Sequence, residues 1–334
     1  MADRRRINAP SGGTSAPIFA STVVKNPKFL QSLRPTRTRQ PDQLRKIFLK
    51  TGLTPSASGS AYLEIPLLLP TTAQSLIPSR SSLKLTCAVH GPKPLPRSAP
   101  FSPHLLLTTT VKFAPFAARA RRGYIRDSSE RDLGVHLETA LRGVVIGERW
   151  PKSGVDVIVT VIEGEEDGWW GDDITAGANK GGGWGLMSVL AGCITVASAA
   201  IADAGIDCVD LVTGGVAAIV RNPDAKGKGR DDGNGEDSYT VLDPCPAEHQ
   251  EIIATCVVGY LAGRDEITEL WVKGEPGATT EKLVDRAVHA ASATATVLRE
   301  VVKEAVELKY RDVIGGLNGG LKASTFSSEV EMAG

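Results

Sequence analysis

Paired cysteines, clustered histidines, long apolar runs and acids in the first third are all scarce in this chain of 334 residues, and each scarcity removes a class of protein. The five cysteines (Cys87, Cys193, Cys208, Cys245, Cys256) are odd in number and include no C-x-x-C pair. That spacing argues against a structural zinc site and for reduced, buried thiols in an intracellular protein. His90, His104, His136 and His289 are scattered, and His249 is the lone imidazole beside Glu248 and Glu251, so neither a metal nor a cofactor is expected. The longest uncharged run, residues 186–202, is shorter than the roughly 20 residues a membrane span needs. Its Ala, Ser, Thr and Gly content suits a close-packed buried helix, and no membrane role is expected. The Arg-rich N-terminus superficially matches a mitochondrial transit peptide, but it has no amphipathic period and is broken by Pro10, Pro17 and Pro27.

Acids are nearly missing from residues 1–126, which hold 20 Lys or Arg against 3 Asp or Glu, while the rest of the chain holds 18 against 35. A net charge of zero therefore conceals a basic first part and an acidic remainder. Such a split implies a basic surface for an anionic partner. The alternative is a basic tail on an acidic globular body, with no nucleic acid involved.

Residues 1–33 combine Arg4, Arg5 and Arg6 with Gly, Ser and Pro, and bury too little apolar surface to offset ordering entropy, so they read as a flexible basic arm. Strands are expected over 83–89 and 105–113, joined by a Pro-rich connection over 91–103. Residues 127–145 predict a helix, with Asp127 or Ser128 as cap, Glu130 in the first turn, and Leu133, Leu137, Leu141 and Val144 on one face. The β-branched run 155–163 predicts a central strand. Residues 164–185, with three tryptophans, acids and glycines, read as a surface loop, and the glycines lack the strand-turn-helix spacing of a nucleotide site.

A buried helix from Leu190 precedes a strand over 211–220. The polar stretch 222–238 predicts a disordered hairpin tip, followed by strands at 241–242, 252–261 and 267–272. A long helix starts near Thr280, its Val284, Val288, Ala291, Ala295, Leu298, Val302 and Ala305 recurring at four- and three-residue steps. After Tyr310 the Gly-rich tail, 312–334, reads as flexible. Strands with two buried helices and a long last one define an α+β chain with helices on mixed sheets.

Residues 37–65, the following LKLTCAVHGPKPLPR at 83–97 and the block ending LRGVVIGERW together resemble the ribonuclease PH family, above all the catalytically silent ring subunits of the eukaryotic exosome. The resemblance covers residues 34–311 and implies the ribosomal protein S5 domain 2-like fold. It also implies which residues matter. Active members open a small-residue helix with Gly-Gly-Thr-Arg, whose backbone N–H groups and guanidinium hold inorganic phosphate. Here those positions fall on Met187, Ser188, Val189 and Leu190. The family's second phosphate-contacting arginine falls on Ser129. Its two aspartates fall on Asp243, which survives and reads as the start of a turn before Pro244, and on His249. Each lost charge-assisted contact costs roughly 1.5–3 kcal/mol, so the resemblance implies a chain that is not an enzyme.

The partners implied are the other ribonuclease PH-like ring subunits, the cap subunits, and RNA passing through the assembled channel, in nucleus, nucleolus and cytoplasm. Arg119, Arg121, Arg122 and Arg126, with Tyr124 among them, are candidate RNA-backbone contacts, as are Arg34, Arg37 and Arg39 beside the basic arm. Two other readings stand beside this one: an active phosphorolytic 3′-5′ exoribonuclease using Asp243, and a stand-alone RNA-binding protein.

Overall fold

The computed structural model describes residues 34–66, 82–118, 122–123, 125, 127–169, 183–221 and 238–328, with side chains described as far as residue 311. The basic arm 1–33, most of the inserts (170–182 and 222–237), and Arg119, Arg121, Tyr124 and Arg126 lie outside the described residues.

The first sheet runs in the order β1 (Phe48–Thr51), β2 (Gly59–Pro66), β3 (Ser82–Pro94), β5 (Ser153–Glu163), β4 (Leu106–Phe113). Only the β4–β5 pair is parallel. β5 lies between β3 and β4, as its β-branched run predicts for an inner strand; Val155, Val157, Val159 and Val161 are buried, the last three opposite Val89, Cys87 and Leu85 of β3. The pairing of β3 with β5 continues through Lys93 and Pro94, so the Pro-rich connection is shorter than expected. A Pro at the end of a ladder removes few hydrogen bonds. Two strands, β1 and β2, have no counterpart in the element assignment read from the sequence.

Helix α1 (Ser128–Arg142) is capped by Asp127 in a full capping box with Glu130. Helix α2 (Gly185–Asp203) begins five residues before Leu190 and is buried along nearly its whole length. It is long and apolar enough to cross a membrane by composition, yet it lies inside the protein as a core helix.

The second sheet has the order β7 (Ser238–Leu242), β6 (Val212–Arg221), β8 (Ile252–Leu261), β9 (Glu266–Gly274), antiparallel throughout. Helix α3 (Thr280–Ser328) packs on its outer face, and the helix continues through residue 311 without a break at the expected tail boundary. The sheet is clasped from both sides at one dipeptide of β6. A Cβ on Gly214 would lie 2.1 Å from the Ala191 carbonyl oxygen of α2, and one on Gly215 would lie 2.2 Å from that of Ala287 in α3. Small residues in both helices make this approach possible, which explains the alanine stripe of α3.

Candidate functional site

Three irregular segments meet beside the first turns of α2: residues 34–45, the root of the first insert at 165–169, and residues 243–249 after β7. Their meeting point is Arg45, which is fully buried. Its Nε donates to Asp243 Oδ2 at 2.8 Å and its Nη2 to Oδ1 at 2.6 Å, while Nη1 and Nη2 donate to the two Glu165 oxygens at 2.9 and 3.2 Å. Every side-chain nitrogen of this guanidinium is therefore engaged by a carboxylate, the geometry that makes a buried arginine tolerable.

Asp243 has a backbone φ of 47°, uncommon for a residue other than glycine. Its N–H donates to the Val216 carbonyl at 2.9 Å, and its carboxylate also accepts from the Arg45 backbone N–H at 2.9 Å and from Arg39 Nη1 at 3.2 Å. Burial by itself would raise the pKa of this carboxyl. The Arg45 charge and hydrogen bonds, with Arg39, outweigh burial and hold it well below the carboxylate range. Asp243 does lie in a bend, but its side chain is turned inward onto arginines.

The outer layer follows the same pattern. Arg39 Nη2 donates to Glu248 Oε2 at 2.8 Å. Arg37 directs its guanidinium at the carbonyls of Gln40, Gln43 and Leu242, at 3.0, 3.2 and 3.0 Å, stapling the chain before β1 to the end of β7. Burial, with Arg39 nearby, lowers its pKa. Arg34 donates to the His249 carbonyl at 2.8 Å and lies over the Trp169 ring. Its neighbour, the His249 imidazole, is buried with no hydrogen-bond partner on Nε2. Burial first, then the charges of Arg37, Arg39 and Arg34, pull its pKa down to about 4, so it is neutral at physiological pH.

Arg37 and Arg39, expected as RNA contacts, thus have side chains only 7% exposed and are spent on the protein's own carboxylates and carbonyls. The insert root is likewise no surface loop: Glu165 and Trp169 are packed into the cluster. The aligned positions on α2 are closed as well. Met187, Val189 and Leu190 are wholly buried, and Ser188 Oγ donates to the Pro244 carbonyl at 3.2 Å. The first N–H of the helix, on Gly185, is already bonded to Asp167 Oδ1 at 3.0 Å. A small cavity of about 30 Å³, large enough for water, is lined in part by Arg45, Ser188 and Asp243.

Ser129, in the first turn of α1, receives a hydrogen bond from Arg122 Nη1 at 3.3 Å, and that guanidinium rests 3.8 Å from the Phe113 ring centre. A guanidinium thus reaches Ser129, the position that the resemblance assigns to the family's second arginine. The start of α1, however, is already occupied by protein acids: Asp127 caps it, and buried Glu130 accepts from the Phe113 and Asp127 backbones at 2.9 and 3.2 Å.

Of the positions the resemblance singles out, Asp243 and His249 lie in this cluster, Ser188 beside it is bonded to Pro244, Leu190 is buried within α2, and Ser129 lies in the first turn of α1. Sequence reasoning missed Arg45 and Glu165. The only local signal is the charge of Arg45 in the LRKIFL run next to β1, an odd residue for a buried register.

Two layers of sheet around α2, with a third helix outside, are the architecture of a ribonuclease PH-like protein. The model of the 3′ exoribonuclease family, domain 1, matches residues 43–207. The chain is 49% identical over 314 residues, 92% of its length and 100% of the relative's, to the exosome complex component MTR3 of Chaetomium thermophilum. The Schizosaccharomyces pombe component mtr3 is 30% identical over 82% of this chain and 85% of its own, and the human MTR3 component 26% over 83% and 85%. The crystal structure of rice Rrp46 shares the fold, with a TM-score of 0.55 at 18% identity over 79% of this chain and 98% of that one. The chain belongs to the MTR3 branch of the ribonuclease PH family.

Proposed function

We propose that this chain is a non-catalytic subunit of the exosome core ring, pairing with other ribonuclease PH-like subunits, supporting the cap subunits and forming part of the wall of the RNA channel, in nucleus, nucleolus and cytoplasm. One observation carries the non-catalytic reading: the guanidiniums beside α2 are neutralised from within, Arg45 by Asp243 and Glu165, Arg39 by Asp243 and Glu248. Guanidiniums paired in this way with the protein's own carboxylates have their charge engaged internally instead of on an attacking phosphate. Losing a single preorganised electrostatic donor typically slows a reaction about 10²–10³-fold, and here Leu190 and Ser129 replace two.

Membership of a ring requires extensive interfaces, on the order of 2,000–5,000 Å². Exposed Phe48, Leu106, Val135 and Leu270 are apolar surface for such contacts. Affinity purification of the tagged full chain tests the reading: the other ring and cap subunits should co-elute in equal stoichiometry. Recovery of the chain alone would overturn it.

A further inference from the structure

β9 closes one side of the second sheet, and among the described residues no strand pairs with its outer edge. A free edge is a row of unpaired N–H and C=O groups, which proteins blunt with short strands, prolines, lysines or bulges. β7, the opposite edge of this sheet, has five residues, and β1 in the first sheet has four. β9 has nine residues and no proline, and its Ile267 and Leu270 are 45% and 49% exposed. Its one irregularity falls beside Thr268, so residues 269–274 pair regularly with β8 and leave no described strand on their other side.

Register decides what can lie along that edge. Glu269, Trp271 and Lys273 oppose Gly259, Val257 and Thr255 of β8 and share one face. On that face Trp271 stacks on His136 of α1 at 4.3 Å, and Glu269 Oε1 lies 2.7 Å from His136 Nδ1. Leu270 and Val272 take the other face. An antiparallel second copy must keep like faces together, so its register can move only in whole steps about a residue. Centred on Glu269, two carboxylates oppose each other. Centred on Leu270, Glu269 meets Trp271 and Lys273 meets Ile267. Centred on Val272, Glu269 meets Glu275. Centred on Trp271, Glu269 of each copy opposes Lys273 of the other and Leu270 opposes Val272, so two ion pairs and two apolar pairs form symmetrically.

We propose that two copies of this chain pair antiparallel along β9 about a twofold axis at Trp271, joining their two four-stranded sheets into one, with Glu269 and Lys273 fixing the register. The inference concerns the free chain and does not depend on ring membership. It commits to a second copy because the strand is complementary to itself, in charge on one face and in apolar contact on the other.

Sedimentation equilibrium of the full chain over a range of concentrations tests it, and should show a reversible equilibrium between the 35.2 kDa monomer and a dimer. Lys273→Glu and Glu269→Lys, each shown folded by circular dichroism, should each weaken dimerisation about 10-fold or more, because both ion pairs become like-charge contacts. Mixing the two variants should restore it, since two carboxylates of one copy then face two ammoniums of the other. Leu270→Asp, away from the His136 contact, should weaken the dimer independently of that bond. Deuterium exchange of the β9 amides should slow as the dimer forms. A monomer at every concentration, or a dimer that both charge variants leave unchanged, would overturn the inference. So would a mixture that recovers nothing, or β9 amides protected only in a complex with other ring subunits, which would give the edge to a different chain.

Discussion

Arg45 and Asp243, 198 residues apart in the chain, meet in a buried two-point ion pair with nitrogen-to-oxygen distances of 2.8 and 2.6 Å. The pair joins the segment before β1 to the end of β7, and Glu165 completes the guanidinium's shell from the insert root. Removing one partner leaves a buried charge uncompensated. Asp243→Asn should therefore lower unfolding free energy by about 3–5 kcal/mol in urea titration. The exposed Arg221–Glu251 pair provides the contrast, and Glu251→Gln should cost under about 1 kcal/mol. Equal losses at the two sites would show that the buried pair carries no special weight.

The same pair sets an acid limit. The Asp243 carboxyl titrates lower in the folded chain than in the unfolded one, whose value is about 3.9. Its stabilisation is therefore complete above that value and is lost as pH falls further. The gap in stability between the unmodified chain and Asp243→Asn should stay constant from pH 7 to about 5 and close below about pH 4. A gap that closes near neutrality would assign the effect to another group.

His249 acts in a higher window. Its folded pKa of about 4 lies below the ordinary 6.5, so the unfolded chain binds a proton between those values and the folded chain does not. Stability is full above 6.5 and declines as pH falls toward 4, by roughly 3 kcal/mol for one buried imidazole. His249→Gln should remove this slope between pH 6.5 and 4, as read from urea midpoints across pH. A slope that persists in the variant would place its origin elsewhere.

The glycine pair of β6 makes a steric prediction. Gly214→Ala or Gly215→Ala puts a Cβ within 2.1 or 2.2 Å of a helix carbonyl oxygen, and neither helix can retreat without opening the core. Either variant should lose soluble expression or most of its thermal stability. Gly205→Ala is the control: it has a φ of +70° but open space around it, so only backbone strain of about 1–2 kcal/mol is expected. Comparable melting temperatures for Gly214→Ala and Gly205→Ala would contradict the close packing of α2 on the sheet.

Local signals in the sequence carried the regular elements. The Asp127 and Glu130 pair announces the start of α1, the valine alternation announces β5, and the four-and-three spacing announces α3. β1 and β2 escaped because they are edge-side strands with mixed polarity, and their hairpin is fixed by pairing with β3. The roles of Arg37 and Arg39 were not legible for a different reason. Their acceptors, Asp243, Leu242 and Glu248, lie more than 200 residues away and are brought close only when β7 joins the second sheet. Glu165 was hidden by the Gly- and Trp-rich composition around it, which reads as loop although its first residues are packed inward. Charge near an RNA-handling motif pointed outward in sequence terms, and folding turned it inward.

The central claim is that the place for the attacking anion is filled by the protein's own carboxylates. Incubating the purified chain with 3′-hydroxyl single-stranded RNA, magnesium and inorganic phosphate, with nucleoside diphosphate release as the readout, tests it most directly. The account predicts no release above a protein-free control. Sustained diphosphate release that disappears in Asp243→Asn, with that variant shown to be folded by circular dichroism, would contradict it.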